Sequence, residues 1–187
     1  MSGKKQFQGV RGVVFVNLQK RYVVRTSSLL VFVRSLKGLL RLDKSEFNVC
    51  FVDDSAIRHL NLAYRGKDKS TDVLSFPWNE AGSAHVPGLS HSKAGGGFTN
   101  FLGDIVISVE TARRNAEFEG HNTLNEIRWL ILHGLLHLIG YDHEKDNGQM
   151  IALELTLREH LGLDGGEKRH KGQKAKRKSQ KLDRPRV

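Results

Sequence analysis

Two histidines lie four residues apart in a strongly apolar segment that the sequence predicts to be a helix. Residues 123–126, TLNE, have the pattern of a capping box, and the leucine-rich residues after them extend the helix to about residue 139. Residues at i and i+4 of a helix lie on one face, roughly 5–6 Å apart. We therefore expect a helix that presents the imidazoles of His133 and His137 side by side.

A third histidine follows the predicted end of this helix. Gly140 comes three residues after His137 and suits the left-handed conformation that ends many helices, which turns the chain back. His143 can then approach the first two imidazoles. A single histidine on an apolar helix is usually a core residue, but three at the spacing H-x3-H-x2-G-x2-H predict a metal site. Zinc proteases use the same ligand spacing.

The residue after the first histidine separates this pattern from those proteases, which carry a glutamate there as general base. This chain has Gly134, which cannot act as a base and which we expect to leave space above the metal. Three protein ligands and one open position are typical of a catalytic zinc site, where bound water can reach a pKa of about 7 without a glutamate. A zinc metallopeptidase is therefore the less favoured interpretation.

Other residues near the pattern receive simpler interpretations. Asp142 and Glu144 flank the third histidine, and either can orient a ligand from behind, although solvated turn residues are an equally good interpretation. The remaining six histidines lack metal-ligand spacing, and we expect ordinary surface or capping roles for them: His59, His85, His91, His121, His160 and His170.

A second segment, YRGKDKSTDVLSFP at residues 64–77, places one arginine and two lysines on a loop that leads into a strand. Arg65 suits a phosphate because its guanidinium is planar, permanently charged and bidentate. A solvated basic turn is the other interpretation, and it is the better one for this segment taken alone.

Cysteine content and charge narrow the class of protein. One cysteine, Cys50, excludes an internal disulfide framework and a cysteine-based zinc finger, and it predicts a reducing intracellular compartment. No apolar run reaches the eighteen or so residues that a membrane span needs, so we expect no membrane partner.

Residues 167–187 hold ten Lys or Arg and two acids, whereas the first 166 residues hold 20 basic and 18 acidic side chains. Such a tail suits a polyanion such as RNA, and a disordered terminus that only aids solubility is an equal alternative.

The 187 residues are predicted to form one domain between two extensions. We expect a flexible N-terminal extension at residues 1–11, the folded domain at residues 12–165 and a disordered basic tail at residues 166–187. Residues 78–101 are rich in glycine and weakly periodic, which predicts a long loop.

About four strands and five helices alternate within the domain. They predict an α/β or α+β sandwich with a small mixed sheet. The first helix is expected to be capped by Thr26 or Ser27, and the second by Asp53 or Asp54. The last helix is expected to span residues 146–161, with its apolar residues facing the core: Ile151, Leu155 and Leu161.

Together these segments resemble the YbeY family of endoribonucleases, also called rRNA maturation factors. Residues 133–143 match that family's H-G-x-L-H-L-x-G-Y-D-H, and residues 64–77 match Y-R-G-K-D-K-x-T-[DN]-V-L-S-F-P. Residues 102–105 match its L-G-D-I, and the resemblance covers about residues 13–163. The loop at residues 78–101 looks longer than usual for the family, and the basic tail has no assigned counterpart.

The resemblance implies metal-dependent hydrolysis of single-stranded RNA, in maturation of small-subunit rRNA and in ribosome quality control. One Zn²⁺ would be held by His133, His137 and His143, with water as the fourth ligand. Arg65 would take the family's functional arginine position across the cleft from the metal. As a mechanism, we expect Arg65 to stabilise charge on the phosphate, and Lys67 to hold the neighbouring RNA backbone.

Partners and location follow from the same resemblance. The partners would be rRNA and the small ribosomal subunit or a protein associated with it. The alternative is a ribosome-assembly factor that only binds, with the metal holding the helix and turn. Residues 16–19 and the extensions suggest a eukaryotic member, in the cytoplasm or the mitochondrion.

Overall fold

The computed structural model describes residues 6–10, 12–78 and 100–163. Most of the predicted loop at residues 78–101 and all of the basic tail at residues 166–187 lie outside the described residues. No helix in the described part of the chain is both long enough and apolar enough to cross a membrane. The elements follow in chain order: β1 Gln6–Val10, β2 Val13–Asn17, α1 Thr26–Leu39, β3 Glu46–Val52, α2 Asp54–Arg65, β4 Val73–Pro77, β5 Phe101–Ser108, α3 Val109–Glu119, α4 Thr123–Leu138 and α5 Gln149–His160.

The strands form one mixed sheet in the order β1-β2-β3-β5-β4. The three inner strands β2, β3 and β5 run parallel, and the outer strands β1 and β4 are antiparallel to their neighbours. Helices cover both faces, which is why β3 reads as an almost unbroken apolar run. The predicted mixed-sheet α/β fold is confirmed.

The sheet has five strands where the sequence predicts about four. The additional strand, β1 at Gln6–Val10, pairs antiparallel with β2 through a tight connection at Gly12, whose φ is 85°. The prediction of a flexible extension across residues 1–11 is therefore wrong for residues 6–10. Residues 1–5 and residue 11 lie outside the described residues.

Two apolar layers hold the sandwich together, one on each face of the sheet. Side chains alternate across a strand, so Phe47, Val49 and Phe51 of β3 face the larger cluster with α1, α4 and α5. Cys50 and Val52 face the smaller cluster, which contains α2. Cys50 is fully buried, as expected for a small core residue.

Helices α2, α3 and α4 each begin after a short polar side chain that accepts a backbone N–H, and two helix starts differ from the sequence prediction. Asp53 caps α2 as predicted and accepts a hydrogen bond from the Ala56 backbone N–H at 2.8 Å. At α4, the cap is Asn122, which accepts from the Asn125 N–H, and Thr123 is already the first helical residue. The start of α1 at Thr26 has no side-chain cap at all, because Arg25 occupies the cap position.

Helix α5 presents a different face to the core from the one that its apolar residues predict. It begins at Gln149, and its buried residues are Met150, Glu154 and Leu157, at the i, i+4, i+7 spacing of one helix face. Ile151 and Leu155 are 54% and 49% exposed, which overturns their predicted inward position. Leu161 does pack against the core. A carboxylate on the buried face hides the true orientation from a purely apolar pattern.

Gly103 lies on β5 where this strand pairs with Pro77 of β4, and its φ is 136°. A Cβ atom there would stand 2.1 Å from the Phe76 carbonyl oxygen. Both the backbone conformation and the space therefore require glycine at this point of the sheet edge.

We expect Gly103→Ala to lower the free energy of unfolding by about 1–3 kcal/mol, through backbone strain and displacement of β4. Gly38→Ala is the matched control, because nothing lies within 4 Å of its Cβ position in α1 and alanine favours helix. Urea denaturation of both variants measures the difference. Equal stability of the two variants would contradict this account of Gly103.

Candidate metal centre

The end of α4 and the turn after it bring the three predicted ligands together. His133 and His137 lie one helical turn apart, and the helix ends at Leu138. Gly140 has a φ of 97°, and the Tyr141 N–H bonds back to the Leu136 carbonyl at 3.0 Å. This left-handed termination reverses the chain as the sequence predicts.

The three imidazoles converge on one point. Their ring centroids lie 4.8 Å, 5.3 Å and 5.4 Å apart, and one ligand nitrogen from each falls within 4.8 Å of the other two. The Nε2 atoms of His133 and His137 are 3.2 Å apart. Two nitrogens on a tetrahedral zinc ion stand roughly 3.3–3.4 Å apart, so this pair already has the required separation. His143, the third histidine, is exposed.

The environment of His137 favours the form of imidazole that binds metal. Burial lowers the pKa of His137, and the charges of His133 and His143 lower it further; the backbone of Tyr141 and the charge of Asp142 oppose the shift. A lowered pKa keeps the ring neutral at neutral pH. Neutral imidazole has the free lone pair that a metal ion requires.

A carboxylate that the sequence analysis missed lies behind the first ligand. Oε2 of Glu154 is 3.2 Å from Nδ1 of His133, on the opposite side of the ring from Nε2. Burial would raise the pKa of Glu154, but the hydrogen bond from His133 and the nearby Arg158 outweigh it and hold the pKa below its usual value. A charged residue on the buried stripe between Met150 and Leu157 is the sequence signal that could have revealed it.

The two acids expected as possible orienting groups point elsewhere. Asp142 pairs with Lys145 at 2.9 Å and accepts the Glu144 backbone N–H at 3.0 Å. Glu144 is exposed, and its Oε1 lies 4.0 Å from a guanidinium nitrogen of Arg65. Both are mainly turn residues at the mouth of the site.

Gly134 does not open space above the metal, so that prediction is wrong. The residue is buried, and a Cβ there would stand 2.8 Å from Cγ2 of Ile105 and 3.1 Å from Oγ of Ser75. This face of α4 therefore packs directly on β5 and β4. Ser75 also donates a hydrogen bond to the Gly134 carbonyl at 3.3 Å.

The histidines open onto a cleft of about 1320 Å³ that also contains the second predicted segment. Arg65 is the last residue of α2, and Gly66 follows in the left-handed conformation with a φ of 66°. Arg65, Lys67 and the strand β4 line one side of the cleft, and residues 139–146 line the other. Two segments that are 56 or more residues apart in sequence thus meet in one place.

The remaining histidines only partly match the prediction. His59 and His160 are exposed, and each ring donates from Nδ1 to a backbone carbonyl of its own helix. His121 contradicts the surface assignment, because its side chain is only 8% exposed. Its ring centroid lies 4.4 Å from that of Trp129, with the two rings tilted at 56°, and its Nε2 lies 3.1 Å from Oε2 of Glu126. His85, His91 and His170 lie outside the described residues.

The fold and the site together define an α/β protein whose three convergent histidines can hold a metal ion beside a cleft with a basic rim. The model of the family described as Endoribonuclease YbeY matches residues 18–162 of the chain. The chain belongs to this family, as the motifs at residues 64–77, 102–105 and 133–143 predict.

Individual relatives agree with this assignment. The protein named Endoribonuclease YbeY from Aquifex aeolicus is 43% identical over 132 residues, which cover 71% of this chain and 78% of the relative. Its namesake from Desulforamulus reducens is 39% identical over 158 residues, 81% of this chain and 98% of the relative. The solution structure of TM1509 from Thermotoga maritima aligns with a TM-score of 0.50 at 21% identity, covering 86% of this chain and 97% of that one. This last likeness shows the fold.

We expect Gly134→Ala to lower the free energy of unfolding by about 1–3 kcal/mol, because the new methyl group overpacks the contact with Ile105. The shift of α4 should also weaken metal binding. Chemical denaturation of Gly134→Ala in the wild-type and Ile105→Ala backgrounds tests the contact. The decrease in the free energy of unfolding that Gly134→Ala causes should be smaller when Ile105 is truncated. An equal decrease in both backgrounds would exclude a direct clash between the two side chains.

Proposed function

We propose that this protein is a zinc-dependent endoribonuclease that hydrolyses single-stranded RNA, in maturation of small-subunit rRNA and ribosome quality control. Membership of the YbeY family supports the class of activity. The observation that carries the proposal is the meeting of three imidazoles with Arg65 and Lys67 in one cleft.

The donor set supports zinc as the cofactor. His133, His137 and His143 each offer one imidazole nitrogen, and no cysteine is among the cleft residues. When bound, zinc supplies a Lewis acid for a phosphoryl oxygen and a means of activating water at neutral pH. No carboxylate takes the place of a protease general base, since Gly134 is packed against the sheet.

Arg65 and Lys67 divide the recognition of the phosphodiester backbone. Arg65 is half-exposed at the end of α2, where its fork can bind two nonbridging oxygens and stabilise the charge that develops on them. In the free protein, the nearby Glu144 compensates this charge at 4.0 Å, a loose pair that a phosphate can displace. Lys67, two residues later on the same rim, holds the next phosphate.

The cleft favours unpaired RNA over a duplex. Tyr64 is 45% exposed beside Arg65 on the cleft wall. Aromatic rings next to basic side chains suit unstacked bases, which a duplex does not offer. The partners we propose are therefore single-stranded rRNA segments and the small ribosomal subunit or a protein associated with it, with the tail at residues 166–187 as an additional RNA contact.

We propose an intracellular site of action, in the cytoplasm or the mitochondrion. The single cysteine supports a reducing compartment, since Cys50 is a buried core residue.

Arg65→Ala should lower the rate of cleavage of a defined single-stranded RNA by about 10²–10³, because a positioned charge is lost. The fold should be unaffected, since the residue is exposed. Arg34→Ala, an exposed arginine on α1 away from the cleft, has the same change in charge and should keep full activity. Full turnover by Arg65→Ala would refute its role. Normal rRNA maturation in cells carrying this variant would favour the alternative of a factor that only binds.

His137→Ala should lose both stoichiometric zinc and RNA cleavage, because it removes one of the two histidines of α4 whose Nε2 atoms lie 3.2 Å apart. Metal analysis of purified protein beside the cleavage assay measures both. His160→Ala, an exposed histidine on α5, is the matched control and should retain one zinc per chain. Cleavage by metal-free His137→Ala protein would exclude a metal-dependent mechanism.

A further inference from the structure

A buried carboxylate on a different helix contacts the ring of the first predicted ligand. Glu154 belongs to α5, is 9% exposed, and its Oε2 lies 3.2 Å from Nδ1 of His133. The carboxylate oxygen accepts a hydrogen bond from this ring when Nδ1 carries the proton, so the contact favours that tautomer. The lone pair of His133 is then confined to Nε2, which is the nitrogen that faces His137.

The other oxygen of the same carboxylate is also held. Arg158 lies one turn later on α5 and donates from its guanidinium to Oε1 of Glu154. That guanidinium lies over the ring of Trp129, 4.5 Å from its centroid. Trp129 and His133 are four residues apart on α4, and Glu154 and Arg158 are four residues apart on α5. Two neighbouring turns of one helix thus face two turns of the other.

We infer that Glu154 is a positioning residue that fixes the tautomer and the orientation of His133, and that Arg158, stacked on Trp129, holds Glu154 in place. The inference rests on the proposed metal-dependent function. Partners behind a metal ligand commonly change metal affinity by 10–100-fold when they are removed.

A purely structural ion pair between α4 and α5 would predict something different. Glu154 and Arg158 would then stabilise the helix packing, and their loss would lower stability without changing which ring nitrogen of His133 carries the proton. The tautomer and the metal affinity of folded protein therefore separate the two roles.

Glu154→Gln keeps the size of the side chain but removes its charge, and its amide can donate as well as accept. Zinc titration of the folded protein against a competing chelator should show affinity lowered about 10–100-fold. Long-range ¹H–¹⁵N NMR of the metal-free protein should show His133 protonated on Nδ1 in wild type, and a mixture of the two tautomers in the variant. Glu159→Gln, an exposed glutamate on the same helix, is the matched control and should change neither measurement.

Arg158→Gln tests whether the arginine acts through the carboxylate. We expect Arg158→Gln to weaken zinc binding several-fold in the wild-type background. It should have no effect in the Glu154→Gln background, because the carboxylate through which Arg158 acts is already absent there. An equal effect in both backgrounds would refute this part of the inference. If Glu154→Gln does not fold, Arg158→Gln alone, which leaves the carboxylate in place, still reports on the tautomer.

The outcomes distinguish a failure of this inference from a failure of the proposed function on which it rests. Wild-type protein that fails to bind zinc would refute the proposed function itself. Wild-type protein that binds zinc, with unchanged affinity and unchanged His133 tautomer in Glu154→Gln, would overturn only the positioning role. Lowered affinity with a shifted tautomer supports it.

Discussion

The approach of α4 to the sheet at Gly134 is the contact on which the site depends. With no side chain at this position, the helix backbone comes close enough for Ser75 to reach the Gly134 carbonyl, and Ile105 fills the remaining space. The face that carries Gly134 points into the core. His133 and His137, on a neighbouring face of the same helix, are consequently directed into the cleft beside β4 rather than into the apolar layer.

The position of β4 at the edge of the sheet explains why two distant segments share one site. Helix α2 packs in the apolar cluster on one face, and α4 packs in the cluster on the other. Only beyond the last strand can the ends of helices from opposite faces meet. Arg65 at the end of α2 and the turn that follows α4 meet there, with β4 between them. Strand β4 is thus both the edge strand of the sheet and part of the cleft wall.

Most features that the sequence predicts correctly depend on residues that are close to one another in the chain. The histidine spacing, the turn at Gly140 and the cap at Asp53 depend on residues within one turn of each other, and these features appear in the structure. Features that depend on contacts between different helices and strands were not predicted from the sequence. The inward face of α5, the burial of His121 and the packing of Gly134 are each set by a neighbour distant in sequence, so no local pattern encodes them. The strand β1 was missed because it is short, with only five residues, and contains two glutamines and a glycine.

The site combines a rigid half with an adaptable half. His133 and His137 belong to a buried helix whose neighbours α5 and β5 restrict its movement, so the fold itself holds their imidazoles close together. Arg65, Glu144 and Lys145 are exposed and paired only loosely or through solvent-facing contacts. Long charged side chains lose conformational freedom when they bind, which costs affinity but allows varied RNA segments to fit. A hydrolase of ribosomal RNA needs one fixed reaction centre and tolerance for the strand that reaches it, and this division of the cleft supplies both.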